Sequence, residues 1–362
     1  MKMTRTSSRK QQHVNISLTK DVEFRSKSSG FDRWDFLHNA LPELNLSDID
    51  PSTVFLGKKI ALPFIISSMT GGYARAERIN RQLAEACVQK KIALGVGSQR
   101  QALENMRYHR SFSVARETAS DIPIFGNIGA SEVAKLRDIS PIARLIDLIQ
   151  ADGFAVHLNP LQELLQPEGN TNFQGVLDGI ELLAKSLPVP IIVKEIGAGI
   201  SADVARRLVD VGVKIIDIAG AGGTSWAGVE ILRRRNGEVK KNQRDGTKNE
   251  KVKNSNAEMF WDWGIPTVDA LKSVCRLKSK SPSLKVIASG GISNGIDCAK
   301  SIALGADFIA SAMSIIQALA SGGTEAVIGL LDQWEWELKG AMFLTGSRSI
   351  VELQKQILYS SV

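Results

Sequence analysis

The sequence predicts an α/β chain closed into one (β/α)8 barrel, and three observations carry that prediction. Eight short runs rich in Ile, Val and Ala recur from residue 62 onward, and longer segments of helical period alternate with them. The runs are apolar throughout, the pattern of strands buried on both faces of a parallel sheet. No G-x-G-x-x-G follows the first run, so the main signature of an open doubly wound sheet is missing.

Residues 1–60 read as an N-terminal extension: a basic, polar start, a stretch at 31–41 whose Trp34, Phe36 and Leu37 predict a partly helical segment, and a turn with a short strand at 48–56. The barrel occupies 61–340, with strands at 62–67, 92–96, 122–127, 153–158, 190–195, 214–219, 285–288 and 307–310. Helical segments fall at 74–90, 132–136, 141–150, 173–186, 202–211, 268–277, 295–304 and 314–338. A basic loop insertion is expected at 233–258, and 341–362 form a C-terminal tail.

Chain length of 362 and 43% hydrophobic residues suffice for a large single core. The three cysteines are scattered and form no C-x-x-C pair, which fits a reducing, cytoplasmic setting and no structural zinc. No run reaches the roughly twenty apolar residues of a membrane span, so no membrane partner is expected. The net charge of +7 is uneven: residues 1–10 carry +4 and residues 233–253 carry +6, leaving the rest slightly acidic. The longer run has no interleaved aromatics to stack on bases, so an anionic small molecule is favoured over nucleic acid.

In such a barrel all strand C-termini face one mouth, where the chemistry sits. Read there, the chain offers Ser68-Met69-Thr70-Gly71-Gly72, then Gly97-Ser98-Gln99-Arg100, Asn127, His157 to Glu163, Lys194-Glu195, Gly220 to Ser225, Ser289 to Ser293, and Ser311-Ala312. Pro160 ends the fourth strand, so His157, Asn159, Gln162 and Glu163 stand just past a buried segment. Gly290-Gly291 lets backbone N–H groups approach a ligand, and the loops after strands seven and eight are where barrels commonly hold phosphate. Lys194 follows Ile191-Ile192-Val193 and points into the mouth or pairs with a carboxylate. A cation there suits the N1–C2=O edge of a reduced flavin or a Schiff base. The single phosphate cradle favours FMN, whose ring Met69, Thr70 and Asn127 would meet.

These residues carry a resemblance. Arg9-Lys10 with His13, the Met69 to Gly72 stretch, Gly97 to Arg100, the H-L-N-P-L-Q-E of 157–163, the A-G-A-G-G-T-S-W of 219–226, the D-W-G-I-P-T of 262–267, and Leu344-Thr345-Gly346 run in one order over nearly the whole chain. The chain closely resembles the type 2, flavin-dependent isopentenyl-diphosphate Δ-isomerases. The resemblance implies a homotetramer or homo-octamer, FMN working reduced, NADPH as reductant and Mg²⁺, and the interconversion of isopentenyl and dimethylallyl diphosphate. It places FMN on Ser68, Met69, Thr70, Ser98, Asn127, Lys194, Thr224, Gly290, Gly291, Ile292, Ser311 and Ala312. It places the substrate on Arg9, Lys10, Ser98, Gln99, Arg100, His157, Asn159 and Gln162, puts the metal on Glu163, and makes Gln162, His157 and Lys194 the catalytic set. Two departures stand out: Gln12 where the motif commonly has Glu, and Ser293 where an Arg often follows the strand-seven glycines. The rival, an FMN-dependent 2-hydroxy-acid oxidase or dehydrogenase, wants a His base and an Arg after strand seven, and residues 289–302 contain neither.

Overall fold

A computed structural model describes residues 5–245 and 255–360. Eight parallel strands, β1 (Phe64–Ile66), β2 (Ala93–Gly95), β3 (Ile124–Gly129), β4 (Gly153–His157), β5 (Ile191–Lys194), β6 (Ile215–Asp217), β7 (Lys285–Ser289) and β8 (Phe308–Ser311), pair in sequence order and close on themselves through β8 and β1. Each falls within or overlaps a run expected from the sequence. The strands are apolar on both sides because they face two cores. Ile65, Ala93, Phe125, Ala155, Ile192, Ile215, Ile287 and Phe308 point into the barrel, while residues such as Ile66, Leu94, Ile124, Val156, Val193 and Ile216 meet the surrounding helices.

A hairpin of Thr53–Phe55 and Lys58–Ile60 closes the lower end of the barrel. Its two-residue turn has φ +49° at Leu56 and +78° at Gly57, the primed geometry that matches strand twist. Phe55 lodges inside, its ring centroid 4.6 Å from that of Phe308 and 6.3 Å from that of Phe125. The floor is thus a filled core, and any ligand must use the opposite, C-terminal end.

Three segments differ from the sequence reading. The polar start forms a helix, α1 (Arg5–Thr19), which lies on α2 (Trp226–Asp245) through Ile16 and Val229. The 31–41 stretch is not helical beyond one tight turn at Phe31–Arg33; Trp34–Phe36 is a strand paired with Leu358–Ser360 near the far end of the chain, a partner that no local pattern reveals. The basic loop expected at 233–258 begins as helix: α2 continues to Asp245 and Ser255–Glu258 forms a further turn, while 246–254 lie outside the described residues. Ser225 starts α2 as an N-cap, its Oγ accepting from the Gly228 N–H at 3.0 Å.

The long helix α3 (Met313–Leu344), followed only by a short one at Ile350–Leu353 among the described residues, is long and apolar enough to cross a membrane by composition. Its backbone breaks at Gly322 and Gly323, and Ile315, Leu319, Val327, Leu331 and Trp334 are buried against the barrel. It is the eighth barrel helix and ends four residues past the expected boundary at 340.

Candidate active site

Side chains alternate along a strand, so the residue two positions above each inward-facing floor residue also faces inward. Above Phe125, Ala155, Ile192, Ile215 and Ile287 stand Asn127, His157, Lys194, Asp217 and Ser289. Register confirms that neighbours meet: His157 is opposite Lys194, and Lys194 is opposite Asp217. A polar ring therefore covers five consecutive strands. The Nδ1–H of His157 donates to Asn127 Oδ1 at 2.9 Å, leaving Nε2 as an acceptor. Burial, reinforced by the charges of Lys194, Lys10 and Arg9, pushes the His157 imidazole down to about 3, so it is neutral at physiological pH. Lys194 donates to the Glu195 carbonyl at 2.6 Å and lies 4.0 Å from Asp217 Oδ2. Asp217 Oδ1 accepts from the Ser289 hydroxyl. Burial raises the Asp217 carboxyl above the ordinary range, against the opposing pull of Lys194.

The remaining strands, β8, β1 and β2, present small groups at the same height. Gly95 leaves room where a methyl would lie 2.6 Å from Ser68 Oγ, and that hydroxyl is buried without a hydrogen-bond partner. The loops after β6 and β7 touch backbone to backbone: Gly290 has φ +100°, and a Cβ there would sit 2.1 Å from the Gly220 carbonyl oxygen. Ala312, at the start of α3, and Ser311 lie next to them around the closed barrel. A polar wall that includes Lys194, facing a wall of glycine, serine and alanine with the unpartnered Ser68 hydroxyl, fits a planar flavin carrying one phosphate.

Above this ring sits a second tier. α1 brings Lys10 over the loops after β1 and β2, where Nζ donates to the Gly71 and Ser98 carbonyls at 2.8 and 2.6 Å. Burial, with Arg9 adding repulsion, lowers the Lys10 ammonium to about 7. Arg9 is 3.9 Å from Glu168. The short helix Pro160–Leu165 presents Gln162 and Glu163. Asn159 Nδ2 donates to both, at 3.0 Å each, while its Oδ1 is buried and unpartnered. Glu163 also accepts from Gln166 Nε2 at 3.0 Å and from the Asn170 N–H at 2.6 Å. Among the described residues no group of three His, Cys, Asp or Glu side chains is placed to hold a metal. Glu163 alone fits only a cation that takes its other oxygens from water and substrate, as Mg²⁺ does.

Two of the expected contacts look elsewhere. Gln99 is fully buried behind the strands, its amide donating to the Leu145 carbonyl and accepting from the Asn127 N–H, so its side chain does not reach the mouth. Ile292 sends its side chain into the outer core and offers only backbone. Arg100 is held by Glu104 at 3.2 Å and Glu132 at 3.3 Å and is partly exposed at the rim. Gln12 lies on the outer face of α1, beside Ser8, so a Glu there would face solvent.

The sequence reading missed Asp217 and Glu230. Asp217 was findable by counting two residues on from Ile215. Glu230 lies between the 219–226 motif and the basic segment at 233–258, where the sequence reading placed no element. It is fully buried and accepts from His13 Nε2 at 2.8 Å, Arg233 Nε at 2.7 Å and Gln162 Nε2 at 3.4 Å. Burial would raise its carboxyl, but His13 and Arg233 outweigh that and hold it below the ordinary range. The edge of His13 also meets Trp226, with ring centroids 5.3 Å apart.

Comparison with known proteins accords with this geometry. The family model described as FMN-dependent dehydrogenase matches residues 3–115 and 165–360. An isopentenyl-diphosphate delta-isomerase of Chlorobaculum parvum is 48% identical over 359 residues, covering 98% of each chain. One of Pseudescherichia vulneris is 44% identical over 355 residues, covering 98% of this chain and 97% of that one. The lactate oxidase of Pediococcus acidilactici superposes with a TM-score of 0.68 at 15% identity, covering 100% of this chain and 96% of that one, a likeness of fold. The chain is a flavoprotein barrel of the FMN-dependent dehydrogenase family, and within it belongs to the isopentenyl-diphosphate delta-isomerases.

Proposed function

We propose that this isomerase moves the double bond of isopentenyl diphosphate by proton transposition, with the hydrocarbon lying between the polar ring and the Gln162–Glu163 tier. The observation that carries the proposal is the stacking of two charge zones. Lys194 stands at the floor of the mouth, 4.0 Å from Asp217, and Arg9, Lys10 and Arg100 gather above it on α1 and the loop after β2. The upper cations suit a diphosphate, Arg by its planar paired donors and Lys as a point charge.

Bound and reduced, FMN supplies an electron-rich plane that stabilises positive charge on a tertiary carbon and a nitrogen that exchanges a proton. The chain's own residues do the rest. Lys194 favours the anionic form of the ring, and the small residues of β1, β2 and β8 leave space for its plane. Neutral His157, its Nδ1–H engaged by Asn127, keeps Nε2 as a lone-pair acceptor for a hydrogen bond from an ordered water. Gln162, tied to Asn159 and Glu230, is held still beside the reacting carbons. Glu163 would hold Mg²⁺ with diphosphate oxygens and water completing its shell. NADPH serves as the reductant, and a cytoplasmic homotetramer or homo-octamer is the proposed working form. Residues 1–60 act as the extension that brings Arg9 and Lys10 over the barrel at 61–340, with 341–362 as its tail.

The test is Glu163→Ala in the reduced, FMN-loaded protein. Isomerisation should fall about 10- to 100-fold at low Mg²⁺, the worth of one or two charge-assisted contacts, and recover in part at high Mg²⁺. Full activity at low Mg²⁺ would remove Glu163 from the metal site. A purified protein that is not yellow, or does not bleach with NADPH, would contradict the cofactor assignment.

A further inference from the structure

We propose that Asp217 is the counter-ion of Lys194, so that the charge felt by the flavin is set by the pair and not by the lysine alone. This rests on the flavin reading above. Asp217 ends β6 directly opposite Lys194 in register. It is 3% exposed, Lys194 is 6% exposed, and Nζ and Oδ2 are 4.0 Å apart. The gap is longer than a hydrogen bond, so the carboxylate balances the ammonium without capturing it. Nζ is instead aimed by the Glu195 carbonyl, and the other carboxylate oxygen is occupied by the Ser289 hydroxyl from β7. No other carboxylate forms an ion pair with Lys194 among the described residues; Glu195 turns its own to the Ile196, Gly197 and Ala198 N–H groups. Asp217 is a positioning residue: it touches neither substrate nor the upper phosphate tier, and acts through Lys194.

An isolated ammonium under the N1–C2=O edge would over-stabilise the anionic reduced ring. A buried carboxylate beside it weakens that field, and a ring less tightly held as an anion is more basic and takes up a proton more readily. Since the reaction is redox-neutral, that balance matters more here than ease of reduction.

The experiment measures the two-electron midpoint potential of FMN in wild-type, Asp217→Asn and Lys194→Met holoenzymes by equilibration with a reference dye, alongside kcat and KM. In Asp217→Asn the reduction equilibrium should shift at least tenfold toward the reduced form, about 30 mV upward, with kcat down roughly tenfold and KM unchanged. Lys194→Met should shift it the other way. An unchanged potential in folded, FMN-loaded Asp217→Asn overturns the inference and leaves the flavin reading standing, whereas a wild-type protein that takes up no FMN removes both. Should Asp217→Asn fail to fold, the double variant Asp217→Asn with Lys194→Met decides. Removing both charges together should restore a cooperative melt, because an unpaired buried charge is what destabilises, and a double variant no more stable than the single one also overturns the inference.

Discussion

The inside of the barrel has two storeys that share the same strands and differ in everything else. The lower one is Ile65, Phe125, Ile192, Ile215, Ile287 and Phe308, sealed by Phe55 from the hairpin below. The upper one, a single pleat higher, is Asn127, His157, Lys194, Asp217 and Ser289. Both are buried. The lower gains stability from apolar area and close packing; the upper gives some up, since burying the Asp217 carboxyl costs desolvation that Lys194 and Ser289 only partly offset. Stability and chemistry are therefore separable by a step of two residues along one strand, and substitutions on the two storeys should fail in opposite ways.

The largest effect should come from the upper storey. Lys194→Met combined with Asp217→Asn, which removes the buried pair together, is expected to lower kcat about 10²- to 10³-fold, the usual loss on removing a preorganised charge, with a denaturation midpoint equal to or above that of the wild type. A parallel fall in stability would break the comparison. On the lower storey, Phe55→Ala should cost about 3–5 kcal/mol in a chemical denaturation series, while kcat per folded molecule stays near wild type. If kcat instead falls with stability unchanged, the hairpin is not a plug.

A pH experiment sharpens the upper tier. Lys10, at about 7 in the free protein, is depressed below its unfolded value. Between that value and the ordinary lysine range the unfolded chain binds more protons, so Lys10 makes stability rise with pH across that window. A bound diphosphate restores the ammonium, so binding at about pH 8 should take up a proton that binding at pH 6 does not. Calorimetry in buffers of different ionisation enthalpy measures this uptake, and Lys10→Met should abolish it. Equal uptake in the variant would move the titration to another group. The smallest effect is expected from Gln12→Glu, which restores the common motif on the outer face of α1. It should change stability by less than about 0.5 kcal/mol and leave KM within twofold.

The fold was legible in the sequence because continuously apolar runs at regular spacing are a local signal, and all eight became barrel strands. The mouth was legible in part. Residues at strand ends, from Ser68 to Ala312, could be listed without knowing the barrel's interior, and Asn127, His157 and Lys194 do meet there. Gln99 was misread because a polar residue at a strand end can turn outward and satisfy backbone groups behind the sheet, which spacing does not distinguish. Glu230 and the pairing of Trp34–Phe36 with Leu358–Ser360 were invisible for a different reason: each depends on a partner more than sixty residues away. Helix α1 was missed because its polar sequence is stabilised by docking on α2 and not by an apolar stripe of its own.

The most direct test of the two-storey account follows solvent hydrogen. Reduced, FMN-loaded wild-type protein is incubated with isopentenyl diphosphate in deuterated buffer, alongside Lys194→Met and the folded fraction of Phe55→Ala, and the products are examined by mass spectrometry and NMR. The account predicts dimethylallyl diphosphate carrying deuterium from the wild type and from Phe55→Ala at comparable rates per folded molecule, and almost none from Lys194→Met. Unlabelled product from the wild type, or equal labelling by Lys194→Met, would contradict it.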